Sequence, residues 1–120
     1  FGTGPDGQAV FALPGNPVST LVCCRQYVLP ALLCASGRQR AGARYAALGE
    51  AIEFRPDLTC FMPVTVADDD DGRRIATPVP TNTSGDFASL TGTDGYVELA
   101  KEASVFPVGQ AVPFHPWNRP

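Results

Sequence analysis

Leu13-Pro14-Gly15-Asn16-Pro17-Val18-Ser19 is the stretch whose residue types and spacing could do chemistry. Pro14 fixes its own φ and pushes Leu13 toward extended backbone, so an incoming strand stops there. Gly15 permits a tight reversal and lets a ligand come close to the backbone. Pro17 holds Asn16 outside the helical region, as an N-cap requires, and itself suits the first helical position. Asn16 can then accept a hydrogen bond from the N–H of Val18 or Ser19. The expected product is a rigid turn with the N–H groups of Val18, Ser19 and Thr20 facing outward. The Ser19 hydroxyl stands beside them. A helix start carries roughly half a positive charge, so a phosphate or similar oxyanion would meet donors already in place. A turn of this kind also serves as a plain structural cap, and the residues alone leave both roles open.

That turn needs a strand before it and a helix after it. Gln8 to Leu13 reads as one short strand, preceded by a loop with a turn at Asp6-Gly7. Val18, Leu21, Val22, Leu29, Leu32 and Leu33 recur at helical spacing. Gly37 is the expected stop. Pro30 falls inside this helix, removes the bond to the Gln26 carbonyl and predicts a kink. The opposite face, with Thr20, Cys23, Tyr27, Ala31 and Cys34, is only weakly polar, so the helix is expected to be covered on most sides. Arg25 falls within the apolar stripe, as a snorkelling or an ion-paired side chain. One strand and one helix cannot bury both their faces, so residues 1–41 read as the last β-α unit of an α/β domain.

From residue 42 the character changes. Tyr45 to Phe54, Thr59 to Ala67, Arg74 to Val79, Tyr96 to Leu99 and Gln110 to Phe114 read as short strands. Pro63 marks its strand as an edge or a bulge. Asp68 to Gly72 is a hairpin turn. It fails as an EF-hand calcium loop, because position 12 would be Pro78. Ser84 or Asp86 caps a short helical turn ending near Leu90, and Asp94-Gly95 and Val108-Gly109 are further turns. The expected class is an α+β fragment: a strand-turn-helix unit over residues 1–41, then a small mostly-β, barrel-like domain over 42–120.

Composition bounds the rest. The 120 residues are 44% hydrophobic and 18% charged, with a formal net charge of -3. Such a chain has no global electrostatic reason to seek nucleic acid or an anionic membrane. No stretch reads as long and apolar enough to span a bilayer, and the first residues lack the basic and apolar regions of a signal peptide. The four cysteines are Cys23, Cys24, Cys34 and Cys60. Their spacing suits neither a zinc site nor a disulfide framework and points to reduced thiols in the cytoplasm. No metal site is expected. His115 and Trp117 read as packing residues, and Glu50, Glu53 and Glu98 as solvated.

The pattern LPGNPVS at Leu13 to Ser19, with VLPAL at Val28 to Leu32, resembles the MoeA family of molybdopterin molybdenumtransferases. The C-terminal part of gephyrin is similar. Ser84 to Leu90, Asp94 to Leu99 and Val108 to Phe114 resemble that family's C-terminal barrel-like domain. The resemblance implies an enzyme that inserts molybdate into adenylylated molybdopterin and releases AMP with a divalent cation such as Mg²⁺. It implies a homodimer with its active site in a cleft between subunits. By position, Pro14, Gly15, Asn16, Pro17 and Ser19 would line the pterin-phosphate pocket, with Ser84 as a secondary contact. The family's Gly-rich segment, acidic metal-site residues and lysines come earlier than Phe1. The chain is therefore expected to be a C-terminal piece that lacks its N-terminal domains, holds no cation and is catalytically silent alone. The alternative is a dimerisation or scaffold module with no ligand at the turn.

Overall fold

The computed structural model describes residues 1–38, 42–80 and 87–118. Two compact units divide the chain, Phe1–Arg40 and Ala41–Pro120. Ser84 and Asp86, which carried expectations above, lie outside the described residues.

In the first unit, β1 (Gly2–Thr3) pairs antiparallel with β2 (Ala9–Val10). The reversal uses Gly7 at φ 82°, with Gly7 N–H donating to the Gly4 carbonyl at 3.0 Å. The strand expected over Gln8 to Leu13 is thus only two residues long. A strand persists only where a neighbour supplies hydrogen bonds, and β1 reaches no further than Ala9 and Val10.

The helix runs from Pro17 to Ala35 in three pieces: α1 (Pro17–Cys23), a π-helical turn (Cys24–Val28) and α2 (Leu29–Ala35). Pro30 explains the π turn. It cannot donate, and its ring crowds the preceding carbonyls. The backbone widens one turn earlier, and Leu29 N–H reaches the Cys24 carbonyl five residues back. Where a kink was expected at Pro30, the helix shows a change of hydrogen-bond register. The far end is a Schellman closure: Gly37 at φ 75° donates to Cys34, and Arg38 donates to Leu33.

The length and composition of this helix overturn one expectation. The 19-residue helix Pro17–Ala35 is long and apolar enough to cross a membrane by length and composition. Arg25 and Pro30 both lie within it. Val22 is the buried residue of the helix, whereas Tyr27 and Leu32 are exposed.

The second unit is a closed five-strand barrel in the order β3-β6-β5-β7-β9. The strands are β3 (Tyr45–Leu48), β5 (Cys60–Asp68), β6 (Arg74–Pro78), β7 (Gly95–Leu99) and β9 (Ala111–Pro116). Closure comes from β3, parallel to β6 and antiparallel to β9. A separate two-stranded sheet, β4 (Ile52–Glu53) with β8 (Val105–Phe106), lies beside it. Alternation fills the inside: Ala46, Leu48, Val64, Ala76, Val97, Leu99, Val112 and Phe114 form the core, joined by Ile52 and Phe106. Closure leaves the barrel strands without a free sheet edge over their paired length.

Two local expectations change. β5 is not an edge strand, since it pairs with both β6 and β7. Pro63 is tolerated because β6 pairing begins only at Val64, where the missing N–H costs no ladder bond. The chain reverses at Gly92 (φ 86°), not at Asp94-Gly95. Gly95 belongs to β7, and glycine is required there by crowding: a Cβ would stand 2.3 Å from the His115 carbonyl oxygen. The acidic tip does form a hairpin turn, with Gly72 at φ 74° and Asp69 Oδ1 accepting the N–H of Asp71 and Arg73.

Candidate functional site

Asn16 is the N-cap of the long helix, at φ -71° and ψ 123°. This extended conformation is the one the following proline enforces. Its side-chain oxygen accepts the Ser19 N–H at 3.0 Å. Its carbonyl accepts the Thr20 N–H at 2.8 Å. Thr20 adds a second tie. Its hydroxyl lies against the carbonyl oxygens of Pro14 and Asn16, so the turn is strapped to the helix it starts.

These bonds correct the expected donor set. The N–H groups of Ser19 and Thr20 do not wait for a ligand, because Asn16 already takes both. Among the described residues the Val18 N–H has no such partner, and the exposed Ser19 carries a hydroxyl beside it. The turn can therefore offer one amide and one hydroxyl with the positive end of the helix dipole behind them. Thr20 was not anticipated as a tie. Its spacing of six from Pro14 carries no familiar turn signature.

Gly15 is informative through what does not constrain it. It is not in the left-handed region, and an added Cβ would meet nothing within 4 Å. Pro14, Gly15, Pro17 and Ser19 are exposed, and Asn16 is partly buried. The structure thus gathers Pro14, Gly15, Asn16, Pro17 and Ser19 on one open turn. Ser84 lies outside the described residues.

The barrel carries its own polar constellation on the outside. His115 Nε2 and Glu98 Oε2 are 3.1 Å apart. The His115 ring stacks on Tyr96 at 4.9 Å, and the Trp117 ring also packs against Tyr96 at 4.9 Å. Trp117 donates its indole N–H to Thr93 and its backbone N–H to the Asp94 carbonyl. His115 and Trp117 are packing residues as expected. Glu98 is not simply solvated, since it pairs with His115. Cys60 is partly buried against the core, and burial pushes its thiol pKa up. Cys23, Cys24, Cys34 and Cys60 are all free thiols.

Comparison with known proteins decides the family. Residues 45–117 match the family model of the MoeA C-terminal region, domain IV. The chain belongs to the MoeA family. A molybdopterin molybdenumtransferase from Synechocystis sp. is 35% identical over 108 residues, 90% of this chain and 25% of that protein. A MoeA molybdopterin biosynthesis protein from Pyrococcus horikoshii superposes with a TM-score of 0.73 at 30% identity, covering 94% of this chain and 27% of that one. A molybdenum cofactor biosynthesis protein from Pyrococcus furiosus shares the fold at a TM-score of 0.67 and 20% identity, covering 83% of this chain and 35% of that one. The chain thus spans about a quarter of the curated relative's length. Hairpin, helix and barrel together are a MoeA fragment.

Proposed function

We propose that this chain supplies the ligand-facing turn and the C-terminal barrel of an enzyme that inserts molybdate into adenylylated molybdopterin and releases AMP. Family membership supports the reaction class. The observation that carries the role of the turn is the open space at Gly15. Neither backbone conformation nor internal crowding asks for glycine there. What remains is the approach of a group from outside, and the pterin phosphate is the anion this reaction brings. Val18 N–H and the Ser19 hydroxyl are the donors left to receive it, while Asn16, Pro14 and Pro17 hold the turn rigid. Molybdate is a substrate.

Mg²⁺ is proposed to be held by parts of the complete enzyme other than this chain. Among the described residues no group of three or more His, Cys, Asp or Glu could hold a metal ion. The complete enzyme is proposed to be a cytoplasmic homodimer, and the chain by itself to be inactive. Molybdate insertion by the 120-residue chain alone would overturn the last point.

A scaffold role has one observation in its favour: Tyr27 and Leu32 present apolar surface on the helix. Gly15→Val in the complete protein separates the two readings. The ligand-facing reading expects lost cofactor formation with intact dimers. Normal cofactor formation with impaired dimers supports the scaffold.

A further inference from the structure

Strand alternation points a second set of polar side chains toward the barrel axis. Ala46 and Leu48 face the core, and Arg44, two residues before Ala46, continues that face beyond the strand. In the same way Arg74 extends the row of Ala76, Asp68 that of Val64 and Val66, and Asn118 that of Phe114. All four line one mouth of the barrel. Asp94 joins from its loop, and Phe114 lies beneath. They line an open pocket of about 380 Å³.

The charges in this mouth are not equally engaged. Asp68 Oδ1 stands 3.6 Å from Arg74 Nε. Asp94 Oδ2 accepts the Val66 N–H at 2.8 Å. Arg44 is partly buried, yet its side chain makes no hydrogen bond or ion pair among the described residues. Its backbone is fixed by the Phe114 N–H, which donates to the Arg44 carbonyl at 2.9 Å. A guanidinium on an anchored backbone, with its fork unfilled, matches the paired oxygens of a carboxylate or phosphate. Barrel mouths are also a preferred setting for small ligands.

We infer that this mouth is a second binding site, taking the oxyanion group of a small carboxylate or phosphate on Arg44. Asn118 and Arg74 flank the anion. Asp68 holds Arg74 in position, and the second oxygen of Asp94 selects a ligand that carries a hydrogen-bond donor near its anionic group. The site is on the barrel and does not depend on the role of the Gly15 turn.

The test is NMR titration of the ¹⁵N-labelled chain with inorganic phosphate and, in a separate arm, with succinate. The arms distinguish phosphate from carboxylate. The expected result is a saturable shift of the Arg44 and Arg74 Nε–H signals with at least one probe, while Arg73 at the hairpin tip stays still. Arg44→Gln, followed at Arg74 and at the Asn118 amide, is expected to weaken binding at least tenfold. Arg44→Lys keeps the charge without the fork and is expected to fall between. Absence of a saturable shift with both probes overturns the site. So does equal movement of Arg73, or equal affinity in Arg44→Gln and Arg44→Lys to that of the parent.

Discussion

The Asn16 side-chain oxygen accepts the Ser19 backbone N–H at 3.0 Å, closing the first turn of the helix from within. A cap of this kind stabilises by satisfying a donor that the helix itself leaves orphaned. Asn16→Ala is expected to lower stability by about 1 kcal/mol, and Asn16→Asp to retain most of it. Urea unfolding with helix-sensitive circular dichroism measures the difference. Equal midpoints for the alanine variant and the parent would remove the cap from the account.

Thr20 reinforces the same turn from the other side. Thr20→Val keeps the shape and deletes the hydroxyl that lies against Pro14 and Asn16. The expected effect is faster amide exchange at Ser19 and Thr20, at a cost of about 1 kcal/mol. Thr20→Ser should restore slow exchange. Unchanged exchange in the valine variant would show that the cap alone holds the turn.

Gly95 tests the barrel. Its hydrogen occupies space beside the His115 carbonyl, the Phe114 ring and Pro116, and a Cβ would sit 2.3–2.8 Å from them. Two of those contacts are backbone and cannot swing aside. Gly95→Ala is expected to destabilise the barrel by about 3 kcal/mol. Thermal unfolding checks this, with loss of Trp117 fluorescence as the local readout. A fall of under about 1 kcal/mol would mean that β7 and β9 are less tightly packed than described.

Cys60 sets a pH dependence. Burial raises its thiol pKa from the ordinary value of 9.0. The folded state therefore keeps a proton that the unfolded chain gives up first. This contribution to stability is fully present below pH 9.0 and falls as pH climbs toward the folded value. The difference in stability between the parent and Cys60→Ala is expected to shrink above that pH. Alkylation followed by mass spectrometry should modify the exposed Cys34 before Cys60. Labelling of Cys60 as fast as Cys34 would contradict its burial.

Much of this architecture was legible in the sequence because it rests on local rules. The Asn16 cap, Pro17 at the first helical position and the Gly37 stop each follow from the backbone preference of one residue. The Asp68–Gly72 hairpin and most barrel strands follow from turn chemistry and alternation. What escaped depends on partners distant in the chain. Val105–Phe106 became a strand only because Ile52–Glu53 lies beside it. Gly95 looked like a turn glycine, whereas the strand carrying His115 demands it. Pro30 predicted a kink, but propensity does not say whether a helix breaks or widens. At the turn, the outward donors were overcounted. The sequence does not show that Asn16 takes two of them at once.

The central claim is that the turn around Gly15 receives the anionic group of the substrate. The most direct measurement is hydrogen exchange at Gly15 and Val18 in the complete protein, with and without adenylylated molybdopterin. The account predicts slower exchange at Val18, whose N–H receives the anion, and at Gly15, which the bound group covers, with little change at Ser19 and Thr20, whose bonds are already made. Unchanged exchange at both Gly15 and Val18 under saturating substrate would contradict it.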